Sequence, residues 1–332
     1  MQTALVVFNP IAGMRWRRRD SELHALLSAL TKAGIKTLTT TTRGPQYPAA
    51  ELFDGLEDFD TVLAVGGDGT VNEVLQAMMI NGHDAALGVV PFGSGNLLAK
   101  HLGIHRKVEG LVEALTRSTP QPFSVGCIEQ LETGARRFWL AAAGVGADAR
   151  VICALSSSAK ARFGIAAYYA ESTRQLLFSA EPFPLFAVDF QDLASGKTRT
   201  EVVAQAIAER IGYFGGFLEA PDAPPLPLDQ LRLVLFKTAR RSTFLHYGLR
   251  LVASQARGHA VHARLKDVEV VRTREVLCHR ADPAGAASQL VYRGKKSLAE
   301  VDGELFGELP VRVTLATRRL RVLRPSTVSS AS

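Results

Sequence analysis

Two hydrophobic periods take turns along residues 1–120. Leu5–Phe8 is a β-branched, apolar run. From about Ser21 to Ala33, Leu23, Leu26, Leu27 and Leu30 fall on one helical face, and Gly34 offers a stop. Ile35–Thr41 is Thr-rich and β-like, Ala49–Leu56 reads as a short helix and Thr61–Val65 as a strand. Val71–Ile80 then has helical spacing, Leu87–Val90 is a strand, and Asn96–Leu102 and Val108–Thr116 are helical. This β-α-β-α rhythm predicts an open, largely parallel sheet with helices on both faces.

After Pro120 the pattern changes. Phe138–Ala142, Leu185–Phe190, Thr200–Ile207, Leu231–Phe236, Val268–Val271 and Leu290–Arg293 read as strands, with turns at Ser195-Gly196 and Asp302-Gly303. Helical stretches are limited to about Ala149–Phe178 and Thr243–Gln255. The expectation is a mostly antiparallel second domain. The Ser/Thr/Ala-rich tail after Pro325 is expected to be disordered.

At 332 residues and 47% hydrophobic, the chain suits two domains better than one. Its net charge of +7 permits nucleic acid, an anionic membrane or a phosphorylated ligand without choosing among them. Cys127, Cys153 and Cys278 lie far apart with no C-x-x-C pair, which argues against a disulfide framework and fits a reducing cytosol. There is no signal-peptide pattern and no uncharged apolar run of the roughly 20 residues that cross a bilayer, so a soluble or peripheral protein is expected.

Candidate chemistry gathers where strands end. Gly66-Gly67-Asp68-Gly69-Thr70 follows one strand and opens a helix, offering phosphate a tight turn, helix N–H groups and one carboxylate. That combination suggests nucleotide and Mg²⁺ chemistry. Thr70 and Glu73 fit a capping box. Asn9-Pro10-Ile11-Ala12-Gly13 follows the first strand, with Arg15, Arg17, Arg18 and Arg19 beyond it, and Gly93-Ser94-Gly95-Asn96 follows the fourth. None of these turns is a Walker A loop, a Rossmann fingerprint or a nucleophile elbow.

Together the three turns resemble the nucleotide site of the diacylglycerol kinase catalytic family, which includes sphingosine, ceramide and bacterial lipid kinases. The Gly-Gly-Asp-Gly-Thr turn is shared with NAD kinases, whereas Gly93-Ser94-Gly95-Asn96 followed by Ala99-Lys100 is similar to the lipid-kinase form. Downstream, Gly144–Ala149, Gly212–Gly216 with Ala220-Pro221, Asp302-Gly303-Glu304 and a closing hairpin of Val311–Ala316 and Leu320–Leu323 extend the likeness over nearly the whole chain.

The resemblance implies a kinase-type α/β domain with a Rossmann-like open sheet (1–120), to which C-terminal strands within 306–325 return. A mainly antiparallel β-sandwich for the lipid acceptor would follow (121–305). ATP would lie along Asn9, Pro10, Gly13, Gly66, Gly67, Gly69, Thr70, Gly93, Ser94 and Asn96. Asp68 would act near Mg²⁺ and the γ-phosphate, and Glu304 would bind metal or nucleotide. Either Asp302 or Asp68 would take the acceptor proton, with Asp302 preferred. Asp148 would meet the lipid head, and Asp229 matches the place of a structural Mg²⁺ in some bacterial members, although Gln230 replaces the usual Gly. Many members carry Asn-Asp where this chain has Asn96-Leu97.

The expected activity is ATP- and Mg²⁺-dependent phosphorylation of a lipid hydroxyl. The protein would be cytoplasmic and peripheral on the inner face of an anionic membrane, as a homodimer if family precedent holds, and without nucleic acid. The segment Ile152–Phe178, with Lys160, Arg162 and Phe163, is the candidate acceptor wall, and Arg240, Arg241, Arg250, Arg257 and Arg264 would suit anionic headgroups. The alternatives are a kinase of a soluble acceptor and a nucleotide- or lipid-binding regulator of weak activity.

Overall fold

The computed structural model describes residues 1–10, 16–42, 44, 47–56, 59–104, 108–155, 165–178, 183–211, 213–214, 218–219, 226–246, 249, 266–281 and 297–325. Gly13, Arg15, Lys160, Arg162, Phe163, Gly212, Gly215, Gly216, Ala220-Pro221, Arg250, Arg257, Arg264, the strand Leu290–Arg293 and the tail 326–332 lie outside the described residues, as do the side chains of Arg17, Arg18 and Arg19. The chain divides into one unit of Met1–Phe123 with the segment from Arg318 onward, and another of Ser124–Thr317.

In the first unit β1 (Thr3–Phe8), β2 (Lys36–Thr41), β3 (Thr61–Gly66) and β4 (Ala86–Pro91) lie in the order β2-β1-β3-β4, all parallel. Every residue of β3 and β4 is buried, as strands covered on both faces must be. The helices are α1 (Trp16–Lys32), α2 (Asp68–Asn81), α3 (Leu97–His101) and α4 (Val108–Thr116). Ala49–Phe53 is a single 3₁₀ turn that buries Leu52 and Phe53.

Two expectations at the start of α2 fail. The helix begins at Asp68 rather than Val71, and its N-cap is Gly67 with no side-chain cap, so the Thr70–Glu73 capping box does not form. Thr70 is already inside the first turn, with its hydroxyl packed over Gly66. At the other end Gly82, at φ +68°, returns its N–H to the Met78 carbonyl. Arg318 donates to the carbonyls of Met78 and His83, and Arg321 to that of Asp84, which places cationic donors at the helix C-terminus.

The second unit contains two antiparallel sheets. Its elements are β5 (Thr119–Gln130), β6 (Arg136–Trp139), β7 (Ala142–Gly146), α5 (Ala147–Ala154), α6 (Ile165–Phe178), β8 (Phe186–Gln191), β9 (Thr198–Val203) and β10 (Gln205–Glu209). They continue with β11 (Tyr213–Phe214), β12 (Leu218–Glu219), β13 (Leu231–Phe236), a helical turn at 241–246, β14 (Val268–Thr273), β15 (Glu275–His279), β16 (Leu298–Val301), β17 (Glu304–Glu308) and β18 (Val311–Arg324). One sheet runs β14-β13-β10-β7-β16-β17; the other runs β18-β15-β8-β9, with β5 on β18 and β6 on β5. Alternate residues of both sheets, among them Trp139, Val145, Phe186, Leu233, Val276, Val301 and Val311, fill a shared core, so this unit is a β-sandwich.

The closing hairpin is in fact one strand. β18 continues unbroken through Thr317-Arg318-Arg319, and its distal part pairs in parallel with β4 at Arg321↔Ala86 and Val322↔Leu87. The polar stretch that suggests a turn is a partly exposed section of strand. The expected strand Phe138–Ala142 is split between β6 and β7, and Thr200–Ile207 is split at Ala204 between β9 and β10.

Candidate active site

In the first unit the second and third turns are locked together. An added Cβ on Gly93 would lie 2.4 Å from the Gly67 Cα, so the two backbones touch where any side chain would intrude. Asn96, at φ +53°, closes its own turn from both sides: its Oδ1 accepts the Gly93 N–H at 2.9 Å and its Nδ2 donates to the Gly93 carbonyl at 2.8 Å. Phe92 N–H donates to the Gly66 carbonyl at 2.8 Å, and Asn9 N–H reaches Val65 O at 3.4 Å.

Asp68 joins the two turns. Its Oδ2 accepts the Asn96 amide at 2.8 Å and its Oδ1 the Leu97 amide at 2.7 Å. Gly95 packs on this carboxylate, since a Cβ there would stand 2.4 Å from Oδ2. Burial pushes the Asp68 pKa above the ordinary carboxylate value, against the two amides and the Lys100 charge that pull it down. Lys100 shifts downward in turn, by burial, with Asp68 opposing.

This arrangement fits a phosphate group. The first-turn N–H groups of α2 lack intrahelical partners. Thr70 Oγ1 is buried and has no hydrogen-bond partner among the described residues. Each oxygen of Asp68 accepts one amide and retains a lone pair, and Mg²⁺ characteristically takes one or two carboxylates together with substrate phosphates. Asp68 therefore fits as a single carboxylate ligand. Among the described residues no group of three or more His, Cys, Asp or Glu is arranged to hold a metal by itself.

The remaining candidates are in the second unit. Asp302, at φ +49°, forms the turn between β16 and β17. Its Oδ2 accepts the Leu140 N–H at 2.9 Å, and its Oδ1 accepts those of Ala141 at 2.9 Å and Ala142 at 3.2 Å. Glu304 is ion-paired with Arg137 at 2.9 Å. Asp229 is exposed and faces the Arg274 guanidinium at 2.8 Å, so a cationic side chain stands at the carboxylate matched to a structural metal.

Asp148 is buried in the first turn of α5. The Tyr168 hydroxyl of α6 donates to its Oδ1, and it hydrogen-bonds Glu300 of β16. Burial pushes the Asp148 pKa up, with these bonds opposing. Tyr168 is pushed well above its ordinary value by burial and by the two carboxyls. Sequence reasoning placed Tyr168 in the candidate acceptor wall without its link to Asp148, and overlooked Glu300. Glu300 lies on the face of β16 opposite the core residues Ala299 and Val301, where the alternation of the strand leads one to expect an exposed acid, so the sequence carries no signal for it.

Over residues 3–128 the sequence matches the diacylglycerol kinase catalytic domain family. It is 25% identical over 329 residues to a diacylglycerol kinase of Bacillus subtilis (strain 168), covering 98% of this chain and 97% of that protein. It is 27% identical over 174 residues to a diacylglycerol kinase of Staphylococcus aureus (strain Newman), covering 52% and 53%. The fold is similar to the crystal structure of a diacylglycerol kinase from Bacillus anthracis str. Sterne, with a TM-score of 0.65, 15% identity and 98% of each chain covered.

Proposed function

We propose, from the match of residues 3–128 to the diacylglycerol kinase catalytic domain and the likeness to diacylglycerol kinases along the chain, that the protein transfers the γ-phosphate of ATP, with Mg²⁺, to a lipid hydroxyl. The observation that carries the reading is the junction of Gly67 with Gly93, bridged by Asp68 to the amides of Asn96 and Leu97. It presents helix N–H groups, a buried hydroxyl and one carboxylate to a phosphorylated ligand.

In the proposed reaction the acceptor oxygen bonds to the γ-phosphorus as the bond to the ADP oxygen breaks, and the hydroxyl proton passes to a carboxylate. Such transfer depends mainly on positioning and charge neutralisation. Gly67, Gly69, Thr70, Gly93, Ser94 and Asn96 hold the phosphates, with Asn9, Pro10 and Gly66 lining the same strand ends. Asp68 holds Mg²⁺, which when bound neutralises charge on the phosphate oxygens. Asp302 is assigned as the base, at Oδ2, which accepts one amide where Oδ1 accepts two. Glu304 is assigned to metal or nucleotide, and Asp148 to the head of the acceptor.

The acceptor is read as a lipid in an anionic membrane. No helix among the described residues is long and apolar enough to cross a bilayer. Exposed Leu177 on α6, and exposed Leu245 and Arg240, suit contact with a lipid surface from the cytoplasmic side. The test is ATP turnover with a panel of lipids and soluble alcohols. Transfer to a lipid supports the reading, and transfer only to a water-soluble acceptor overturns it.

A further inference from the structure

Two buried carboxyls meet over Gly144. Gly144 of β7 is the register partner of Glu300 of β16. A Cβ at residue 144 would stand 2.6 Å from Glu300 Oε1 and 3.3 Å from Asp148 Oδ2, so glycine leaves the room in which both side chains fit. The Asp148 and Glu300 side chains hydrogen-bond to each other across this glycine. Their other oxygens are also engaged: Asp148 accepts the Tyr168 hydroxyl, and Glu300 Oε2 accepts the Gly303 amide at 2.8 Å.

That last bond acts on the turn that carries Asp302. Asp302 and Gly303 are consecutive left-handed residues, at φ +49° and +82°. Aspartate is among the few non-glycine residues that visit that conformation, and local hydrogen bonds to its side chain favour it. The Asp302 side chain is fixed by the amides of residues 140–142, and the backbone after it is clipped by Glu300. An apolar residue at position 300 would pack against β7 without the desolvation cost of a buried carboxyl. What the carboxyl adds is the clip on Gly303 and the link to Asp148.

We propose that Glu300 is a positioning residue for phosphoryl transfer: it ties the Asp302-Gly303 turn to Asp148 and so fixes the direction of the Asp302 carboxylate. The proposal rests on the reading of Asp302 as the base. Glu300 itself touches no reacting atom.

The test compares Glu300→Ala and Glu300→Gln in the full chain, with two readouts. The first is amide exchange at residues 302–304, which needs no substrate. Glu300→Ala should raise it about tenfold, as the loss of one hydrogen bond does, with exchange in β13 unchanged. Glu300→Gln keeps a carbonyl to accept the amide and should stay near wild type. The second is transfer from ATP to dioleoylglycerol in phosphatidylglycerol vesicles. Glu300→Ala should lower kcat about tenfold with the KM for ATP unchanged, and Glu300→Gln should restore most of it. Unaltered exchange in Glu300→Ala, or a kcat that does not follow the exchange, overturns the proposal. A wild-type protein that transfers phosphate to no lipid overturns the lipid-kinase reading instead, while the exchange readout still decides whether Glu300 clips the turn.

Discussion

Asp68 accepts the backbone amide of Leu97 at 2.7 Å. Position 97, where the resemblance leads one to expect a second acid, therefore contributes its main chain here, and that contact does not depend on the side chain. Leu97 leaves the junction of the two turns intact, so the departure from the usual Asn-Asp pattern does not by itself favour a regulator that has lost activity.

Removing the Asp68 carboxylate should abolish most activity. Asp68→Ala is expected to lower turnover on the order of a hundredfold or more, because the bridge between the turns and a carboxylate proposed to hold Mg²⁺ are lost together. Circular dichroism should show the fold retained. A steady-state rate close to wild type would remove Asp68 from the site.

Gly93 tests the cradle separately from its chemistry. A methyl group there meets the Gly67 Cα at 2.4 Å and Asn96 Oδ1 at 2.7 Å, and the backbone contact cannot be relieved by a side-chain rotation. Gly93→Ala should raise the KM for ATP more than it lowers kcat, and should lower Tm. An unchanged KM for ATP would place the nucleotide elsewhere.

Asp302→Asn should do more than slow the reaction. Both carboxylate oxygens accept amides, so the asparagine NH₂ must face a backbone donor whichever way it is turned. A mismatch of this kind costs about 1–3 kcal/mol. The variant should show a lower Tm together with a kcat that falls more than affinity for ATP. If only ATP affinity falls, Asp302 is a ligand and not the base.

The β-sandwich contains a pH-sensitive acid unrelated to the proposed chemistry. Burial raises Glu209 from 4.5 to about 7 despite Arg232, 3.4 Å away. A raised pKa in the folded state favours the protonated form. Its contribution to stability is therefore complete below 4.5 and is lost as the pH rises through about 7. Glu209→Gln should remove that part of the decline in urea-unfolding stability between these two pH values. An identical slope in the variant would mean that Glu209 is ionised throughout.

The sequence showed the first unit well because each strand there ends in punctuation. Gly34, Gly67 and Asn96 mark boundaries by their backbone preferences, and β3 and β4 are continuous apolar runs. The capping box was misread because Thr70-x-x-Glu73 fits the rule locally, whereas Gly67 starts the helix three residues earlier. The unbroken β18 was missed because Thr317-Arg318-Arg319 is polar. Arg318 serves the end of α2, a contact more than 230 residues away in the chain. Glu300 was invisible for the same reason, and Tyr168 was legible only as part of the candidate acceptor wall: what makes them notable is a neighbour supplied by the fold, and no local pattern encodes that neighbour.

The most direct test of the central claim is transfer of labelled γ-phosphate from ATP to a panel of diacylglycerols, sphingoid bases and glycerophospholipids in anionic vesicles, with the product identified by mass spectrometry. The account predicts a Mg²⁺-dependent phosphorylated lipid that Asp68→Ala fails to make. ATP binding without phosphate transfer to any lipid would contradict it.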